Sequence, residues 1–271
     1  MKHILWIGGP PGSGKSTVAS LLARRHGRRL YSADTHTWTH RDRALAAGSA
    51  PAQRRESMTA TERWEQSTPE EVLEMSLHHE RGAMVIDDLE ALPAAPLIVA
   101  EGSTLPASAV TCGIAERSRA VWLIPSGEFH RAQFAGRETT VGHERLYLLL
   151  SETIEREARE HGAPILPVDG SRGVADTADA VERLFRDTFA AGPLAQCLEE
   201  RKALLREMNE AVAAQVRGYY ARAWAEGDPE AVVRKFVCEC GDPACGAIVR
   251  LEVGELGPRT ALAPGHGLEA R

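Results

Sequence analysis

The sequence lacks the features that would place it in a membrane, nucleic-acid-coating or secreted class. It has no apolar run of about 18 residues, which a transmembrane helix needs. Basic residues are not in excess: 32 Lys and Arg stand against 38 Asp and Glu, so the formal charge is −6. That balance argues against a protein that mainly coats nucleic acid or a charged membrane surface. Five cysteines are too few for a secreted disulfide scaffold, and the N-terminal apolar run is too short for a signal peptide. We therefore expect a cytoplasmic protein.

The remaining composition is that of an ordinary folded chain. A hydrophobic fraction of 43% with 26% charged residues excludes wholesale disorder. A length of 271 residues fits two domains, or one large domain with an appendage. The tripeptide Ala191-Gly192-Pro193 interrupts two helical patterns. We place the boundary there and predict one domain over residues 1–192 and a second unit over 193–271.

The strongest motif follows a short apolar segment near the N-terminus. Residues 3–8 predict a buried strand, residues 9–17 match G-x-x-x-x-G-K-[ST] in full, and residues 17–26 predict a helix. In this context glycines let backbone N–H groups surround phosphate oxygens, and the helix N-terminus adds a positive partial charge. The pattern favours a nucleotide-binding loop over a ligand-free turn. The predicted binding residues are Gly9, Gly12, Ser13, Gly14, Lys15, Ser16 and Thr17.

Two side chains of this motif carry specific chemistry. An ammonium group such as that of Lys15 bridges the β- and γ-phosphates of a nucleotide. The hydroxyl of Ser16 is placed to ligate Mg²⁺. The sequence therefore predicts ATP and Mg²⁺ as cofactors of the first domain, with Lys15 also catalytic.

An acidic residue follows the second predicted strand, residues 29–33. Ligands in open α/β sheets lie beyond the carboxyl ends of the strands, which favours a functional role for Asp34. It is predicted to act as a general base or to hold Mg²⁺ through water; the alternative is a helix N-cap in a solvated loop. His36, His40 and Arg41 would then lie near the acceptor, unless the two histidines are simply exposed loop residues.

Two acidic segments compete to hold Mg²⁺ through water. Asp87-Asp88 and Glu101 each follow an apolar run, but too few residues separate these runs for a parallel crossover. Apolar residues from about 69 to 92 fit one helix instead. The run 97–100 is the better strand, so Glu101 is the predicted carboxylate.

The rest of the first domain continues the alternation of strands and helices. Strands are predicted at 120–124 and 164–168, and helices at 143–162 and 174–189. We predict an α/β fold with a five-stranded parallel sheet covered by helices on both faces. Between strand and helix lie Arg131 and Arg137, which would stabilise charge on a transferring group, or else pair with local acids such as Glu138 on the surface.

Residues 1–190 resemble the P-loop small-molecule kinases of the nucleoside-monophosphate-kinase-like class. The motifs that carry this resemblance are Gly9–Thr17, Asp34 after the second strand, Val99–Gly102 after the third and the arginines at 131–137. Shikimate, gluconate and adenylylsulfate kinases and chloramphenicol phosphotransferase belong to this class, in which many members have aspartate where Glu101 stands here. The resemblance implies a P-loop NTPase fold, transfer of the ATP γ-phosphoryl group to a small-molecule hydroxyl, and adenine packing against Ser171 and Arg172.

Two alternatives remain open at this level. A regulatory ATP-binding protein or ATPase would keep the nucleotide and use the C-terminal unit to bind a partner. A polynucleotide 5′-hydroxyl kinase would share the same loop, but the net charge of −6 disfavours a nucleic-acid partner.

The C-terminal unit combines a helix with a cysteine cluster. A helix is predicted over about 194–226, followed by Cys238, Cys240, Cys245 and then His266. Three thiolates and one imidazole can complete a tetrahedral Zn²⁺ site, which would stabilise a segment with few large apolar side chains. Reduced cysteines packed as small hydrophobes, or a redox switch, are the alternatives. The tail resembles a short cysteine-rich module at the ends of bacterial proteins, a likeness that implies no activity.

Overall fold

The computed structural model describes residues 1–135, 141–257 and 259–267. Its main sheet has five parallel strands in the order β2-β3-β1-β4-β5, and a two-stranded antiparallel sheet pairs β6 with β7. The predicted α/β class and five-stranded parallel sheet are confirmed. The strands are β1 Ile4–Gly8, β2 Arg29–Ser32, β3 Ile98–Gly102, β4 Ala120–Pro125, β5 Ile165–Val168, β6 Val233–Val237 and β7 Ile248–Glu252.

Helices cover both faces of the main sheet. They are α1 Lys15–His26, α2 Thr37–Ala46, α3 Ala50–Ser57, α4 Pro69–Ser76, α5 His78–Ala91, α6 Ser108–Thr111, α7 Gly127–Phe134, α8 Val141–Glu160, α9 Val174–Leu184, α10 Arg186–Ala191, α11 Leu198–Tyr220 and α12 Val253–Leu256. Ile4 and Trp6 of β1 face a core shared with α4, α5 and α8. Leu5 and Ile7 face a second core shared with α1 and α9. Alternate residues of one strand are thus buried on opposite faces, as in parallel sheets.

The strand order creates a crevice at the carboxyl end of the sheet. β1 lies between β3 and β4, and the chain leaves β1 through α1 toward β2 on one side. From β3, the neighbour of β1, the chain instead continues toward β4 on the other side. Adjacent strands whose connections diverge leave room for a ligand between them. Residues that follow β1 and β3 therefore border this crevice.

Three predicted helices are wrong in extent. The expected helix 69–92 is two helices, α4 and α5, because Leu77 between them adopts a left-handed backbone with φ of 60°. The expected helix 174–189 breaks at Phe185, whose side chain is buried against α1. The expected helix 194–226 begins only at Leu198. Ala195 N–H donates to Gly27 C=O and Pro193 C=O accepts from Leu97, so the preceding residues are tied to the main sheet instead.

The C-terminal unit packs on the main sheet through α11. Arg29 of β2 donates to Glu207 of α11, with 2.9 Å between Nε and Oε1. On its other side α11 carries Asn209, the single asparagine of the sequence. Its side chain is buried, donates to Val237 C=O at 3.0 Å and accepts from Val237 N–H at 2.8 Å. One buried amide therefore joins α11 to the edge of the small sheet. No helix in the described part of the chain is long and apolar enough to cross a membrane.

Candidate functional site

The glycine loop, residues 9–14, lies between β1 and α1 at the crevice. Gly9 has φ of 140°, and a Cβ at this position would lie 2.4 Å from Leu123 C=O. Gly14 precedes α1 with φ of 83°, a left-handed conformation that side chains disfavour. The backbone of this loop therefore requires glycine at both ends. It delivers the free N–H groups of the first turn of α1 to the crevice, where a helix N-terminus attracts anions.

The side chains of this segment are divided between burial and exposure. Lys15 and Ser13 are buried, at 4% and 1% exposure, whereas Ser16 and Thr17 are exposed on the first turn of α1. The Ser13 hydroxyl has no hydrogen-bond partner among the described residues. A buried hydroxyl without a partner is costly, so a ligand oxygen at this loop would satisfy it.

Glu101, near the end of β3, joins this strand to the end of β2 and to the first turn of α1. Its carboxylate accepts a hydrogen bond from the Ser16 hydroxyl, with 2.8 Å between Oγ and Oε2, and a second from the Ser32 hydroxyl at the end of β2. The side chain is 1% exposed. Burial raises its pKa above the ordinary value of 4.5; nearby Lys15 opposes this shift and Asp34 adds to it. The structure thus brings Lys15, Ser16, Asp34 and Glu101 to one place.

Asp34 lies in the short turn Ala33–His36, half-buried, and it caps neither this turn nor α2. Its backbone carbonyl accepts from the Thr37 hydroxyl at 2.7 Å and from the Gln215 amide of α11 at 2.9 Å. The predicted alternative of a helix N-cap is therefore wrong. The C-terminal unit instead holds the backbone of this residue in place.

Arg81 of α5 is a buried neighbour that the sequence pattern did not indicate. Its guanidinium donates to Ala33 C=O at 2.6 Å and to the Thr37 hydroxyl at 3.0 Å. Burial lowers the pKa of Arg81, and the negative charge of Asp34 opposes that shift. Helical periodicity placed this residue on α5, but no signal in the sequence connects position 81 with position 34.

His36 and His40 are held by contacts with β2 and α5. His36 stacks on Tyr31 and pairs with Ser32 C=O at 2.9 Å. His40 is fully buried, with 2.7 Å between its Nε2 and Asp88 Oδ2. Burial lowers the pKa of His40, and the Asp88 hydrogen bond opposes the shift. Asp88 lies on α5 rather than at a strand end and also accepts from Tyr31, so it joins α5 to α2 and to β2.

Helix α7, which follows β4, contacts the glycine loop. His130 Nε2 lies 2.9 Å from Pro11 C=O, and Phe134 packs over Gly12. Arg131, one residue on, is exposed. Arg137, the other predicted arginine, lies outside the described residues. The sequence analysis indicated the segment around Arg131, but it did not predict the contact of His130 with the glycine loop.

Ser171 and Arg172 lie in the exposed loop after β5. The Ser171 hydroxyl donates to Asp169, with 2.5 Å between Oγ and Oδ1, and Arg172 donates to Pro167 C=O at 2.9 Å. Gly170 of this loop lies against Phe129 of α7. The loop therefore borders the same helix as the glycine loop does.

The predicted metal ligands converge in the C-terminal unit. His266 Nδ1 lies 3.4 Å from Cys240 Sγ and 3.6 Å from the Sγ atoms of Cys238 and Cys245. All four ligand atoms lie within 4.8 Å of one another. Burial and the adjacent thiols raise the pKa of Cys240 to about 12. A cation among these sulfurs would stabilise the thiolate forms and so lower the pKa values of the thiols. The four residues can hold a metal such as zinc.

The cysteine cluster is joined to the C-terminal end of α1. Arg201 of α11 donates to Arg24 C=O at 2.6 Å and to Gly241 C=O, between Cys240 and Cys245, at 2.9 Å. One guanidinium therefore connects the helix that begins at the glycine loop with the turn that carries the cysteines.

These features define an α/β protein with a glycine loop at the carboxyl edge of a parallel sheet. No family model and no curated protein matches the sequence. Among solved structures, the chain is similar to TT1252 from Thermus thermophilus, with 24% identity and a TM-score of 0.40. That match covers 68% of this chain and 96% of the other.

Proposed function

We propose that the protein is an ATP-dependent phosphotransferase that moves the γ-phosphoryl group to a hydroxyl of a small-molecule acceptor. The observation that carries this proposal is the convergence of Lys15, Ser16 and Glu101 at the glycine loop. A full P-loop motif, a buried ammonium group and a buried carboxylate after β3 are the parts that phosphoryl transfer uses.

The donor set also fits Mg²⁺, which prefers oxygen ligands. The Ser16 hydroxyl would bind the ion directly and Glu101 would hold it through water, since the two side chains already share a hydrogen bond. Bound Mg²⁺ supplies positive charge to the phosphate oxygens.

Other residues at the crevice would bind and orient the nucleotide and the acceptor. The loop amides and Lys15 would bind the phosphate tail, and the exposed Arg131 of α7 would contribute charge from the far side of the loop. In the transfer, the acceptor oxygen forms a bond to the γ-phosphorus while the bond to the β–γ bridging oxygen breaks. Asp34 would accept the proton of the acceptor hydroxyl. Ser171 and Arg172 would border the adenine, as the resemblance implies.

The first test is ATP binding. Isothermal titration of Mg²⁺–ATP into the full chain should give binding that Lys15→Ala weakens about tenfold or more, because a charge-assisted contact to phosphate is lost. Lys235→Ala, on the exposed edge of β6, is the matched control and should bind ATP like the wild type. Equal affinities in the two variants would refute the proposal.

The second test separates transfer from mere binding. With γ-labelled ATP and a panel of hydroxyl-bearing metabolites, the wild type should label an acceptor and Asp34→Asn should not, while its ATP affinity is retained. ATP hydrolysis without any labelled acceptor would favour the regulatory ATPase, and labelling of a 5′-hydroxyl oligonucleotide would favour the polynucleotide kinase.

We also infer that Cys238, Cys240, Cys245 and His266 hold one Zn²⁺ ion. Three sulfurs and one ring nitrogen are the donors that tetrahedral zinc prefers, and they already lie in contact. Bound zinc would join the turn after β6 to the chain end near His266.

A further inference from the structure

Three arginines gather between α2, α3 and the helical turn Glu62–Gln66. Arg41 and Arg63 are each 3% exposed, and Arg55 is half-buried. Burial, together with the neighbouring arginines, lowers the pKa of Arg41 to about 10 and that of Arg55 to about 9. Such buried cations normally require anionic partners.

The cluster has one carboxylate for three guanidinium groups. Glu56 acts electrostatically on all three arginines. Its Oε2 accepts from the indole of Trp224 at 2.7 Å, and its Oε1 is buried without a partner in the described structure. Two positive charges therefore remain uncompensated within this cluster.

The guanidinium groups also retain unused donors. Arg41 donates to Met75 C=O at 3.1 Å, and Arg63 donates to the carbonyls of Arg55 and Met58. The buried Nε atoms of all three arginines, and Nη1 of Arg41, have no partner within the described ranges. A buried donor without an acceptor has lost its hydrogen bonds to water and gained none in return, so a ligand that brings acceptor atoms to these N–H groups would be stabilised here.

Aromatic rings form the walls of the cluster, and one wall comes from the C-terminal unit. The guanidinium carbon of Arg63 lies 4.7 Å from the centroid of Trp224, and that of Arg55 lies 5.6 Å from Trp64. Trp224 packs edge-on against Tyr219, the penultimate residue of α11, with 5.4 Å between centroids. Both residues belong to the segment that follows the main sheet.

The cluster lies on the acceptor side of Asp34. α2, which carries Arg41, begins three residues after Asp34. Arg81 connects the two places, since it binds Ala33 C=O and its charge lowers the pKa of Arg41. A small molecule held at the arginines would therefore extend toward the carboxylate proposed as general base.

We propose that Arg41, Arg55 and Arg63 bind a dianionic group, the phosphate monoester of the acceptor, and that Trp224 of the C-terminal unit completes this site. The proposal rests on the proposed function in assigning the group to the acceptor. Two uncompensated positive charges match a dianion better than a carboxylate, and the unused N–H donors match phosphate oxygens.

The test is phosphate binding in the absence of nucleotide. Inorganic phosphate is titrated into full-length Lys15→Ala protein, whose glycine loop has lost its ammonium group, and binding is followed by calorimetry and by tryptophan fluorescence. Arg55→Met should weaken phosphate binding at least about tenfold. Arg55 donates no hydrogen bond to the described residues, so Arg55→Met removes its charge and its contact with the Trp64 ring but breaks no hydrogen bond that Arg55 donates. Arg54→Met, next to it but exposed and paired with Glu71, is the matched control and should bind normally.

A second variant should change the phosphate affinity in the opposite direction. Glu56→Gln removes the competing negative charge and keeps an acceptor for Trp224, so phosphate should bind several-fold more tightly. A merely structural role of Glu56 would not produce this gain. Absence of phosphate binding, equal affinities of the Arg54 and Arg55 variants, or acetate binding as tightly as phosphate would each overturn the proposal.

The outcomes also separate this inference from the proposed function. ATP binding to the wild type with no Arg55-dependent phosphate binding would refute the arginine site alone. Arg55-dependent phosphate binding with no effect of Lys15→Ala on ATP would refute the kinase proposal; the arginine site would stand as a phosphate site, without its assignment to an acceptor.

Discussion

The main sheet and the small C-terminal sheet are built in opposite ways. Every residue of β1, β3 and β4 is buried, and apolar cores lie on both faces. In β6 and β7 most residues are exposed or half-buried, and the core beside them has six buried residues. The first region is held by apolar burial on two faces, whereas the second depends on packing against α11, on the buried Asn209 and on the cysteine cluster. Stability should therefore respond to different changes in the two regions.

The largest expected effect comes from removing the zinc ion proposed for the C-terminal unit. A chelator, or Cys238→Ser, should reduce the free energy of local opening around β6 and β7 by several kcal/mol, because a metal bound there would contribute directly to folding. Hydrogen exchange by mass spectrometry should show faster exchange over 233–267 and little change in β1 and β3.

Cys112→Ser, at an exposed cysteine outside the cluster, is the control and should leave both exchange and zinc content unchanged. Equal loss of protection in β1 would mean that the two regions unfold together and would contradict the comparison. No loss anywhere would mean that the cysteines are not a metal site.

A smaller effect is expected from Asn209→Ala. Its side-chain amide makes three buried hydrogen bonds, including one to Glu239 at 2.7 Å. Removal leaves the backbone groups of Val237 unpaired and should cost about 2 kcal/mol. Urea denaturation would measure the loss, and Gln196→Ala at the exposed start of the unit is the comparison. If the two variants were equally stable, the amide would not be what joins α11 to β6.

The smallest effect concerns the buried carboxylate of the main sheet. Because burial raises the pKa of Glu101, the folded state binds its proton more tightly than the unfolded state does. The associated stability is present below the ordinary pKa of 4.5 and is lost as pH rises through the folded-state value. Glu101→Gln removes this dependence, so its stability relative to the wild type should improve as the pH rises from 4 to 8.

Denaturation at several pH values would measure this difference, with Glu90→Gln, at an exposed position of α5, as the control. A difference that does not change with pH would show that Glu101 titrates as an exposed carboxyl does. The variant should lose Mg²⁺–ATP binding in either case under the proposed function.

Much of the main sheet could be predicted because its signals are local. The apolar run of β1, the glycines of the loop and the start of α1 are contiguous in the chain, so their geometry follows from backbone preferences. The choice of Glu101 over Asp88 also needed only a count of residues between apolar runs. Helix breaks at Leu77 and Phe185 were missed, because a left-handed residue and a buried ring there reflect packing rather than periodicity.

The side chains around the candidate acceptor site could be predicted only in part. From the sequence, Arg41, Arg55 and Arg63 could either receive an anionic substrate or form a solvated helix face, and Trp224 comes 161 positions after Arg63 with no pattern that joins them. Arg81 beside Asp34 and His130 on Pro11 were missed for the same reason. Such pairs depend on how helices pack over the crevice.

The sequence by itself determined the alternation of strands and helices, the glycine loop and the four residues that could hold a metal, because each follows from spacing and backbone conformation within a short segment. Only the tertiary structure decided that Glu101 is buried under two serine hydroxyls, that Gln215 holds the turn at Asp34, and that three arginines share one carboxylate. Those relations join residues far apart in the chain, and the burial that gives them their charge and hydrogen-bonding properties exists only once the helices have packed on the sheet.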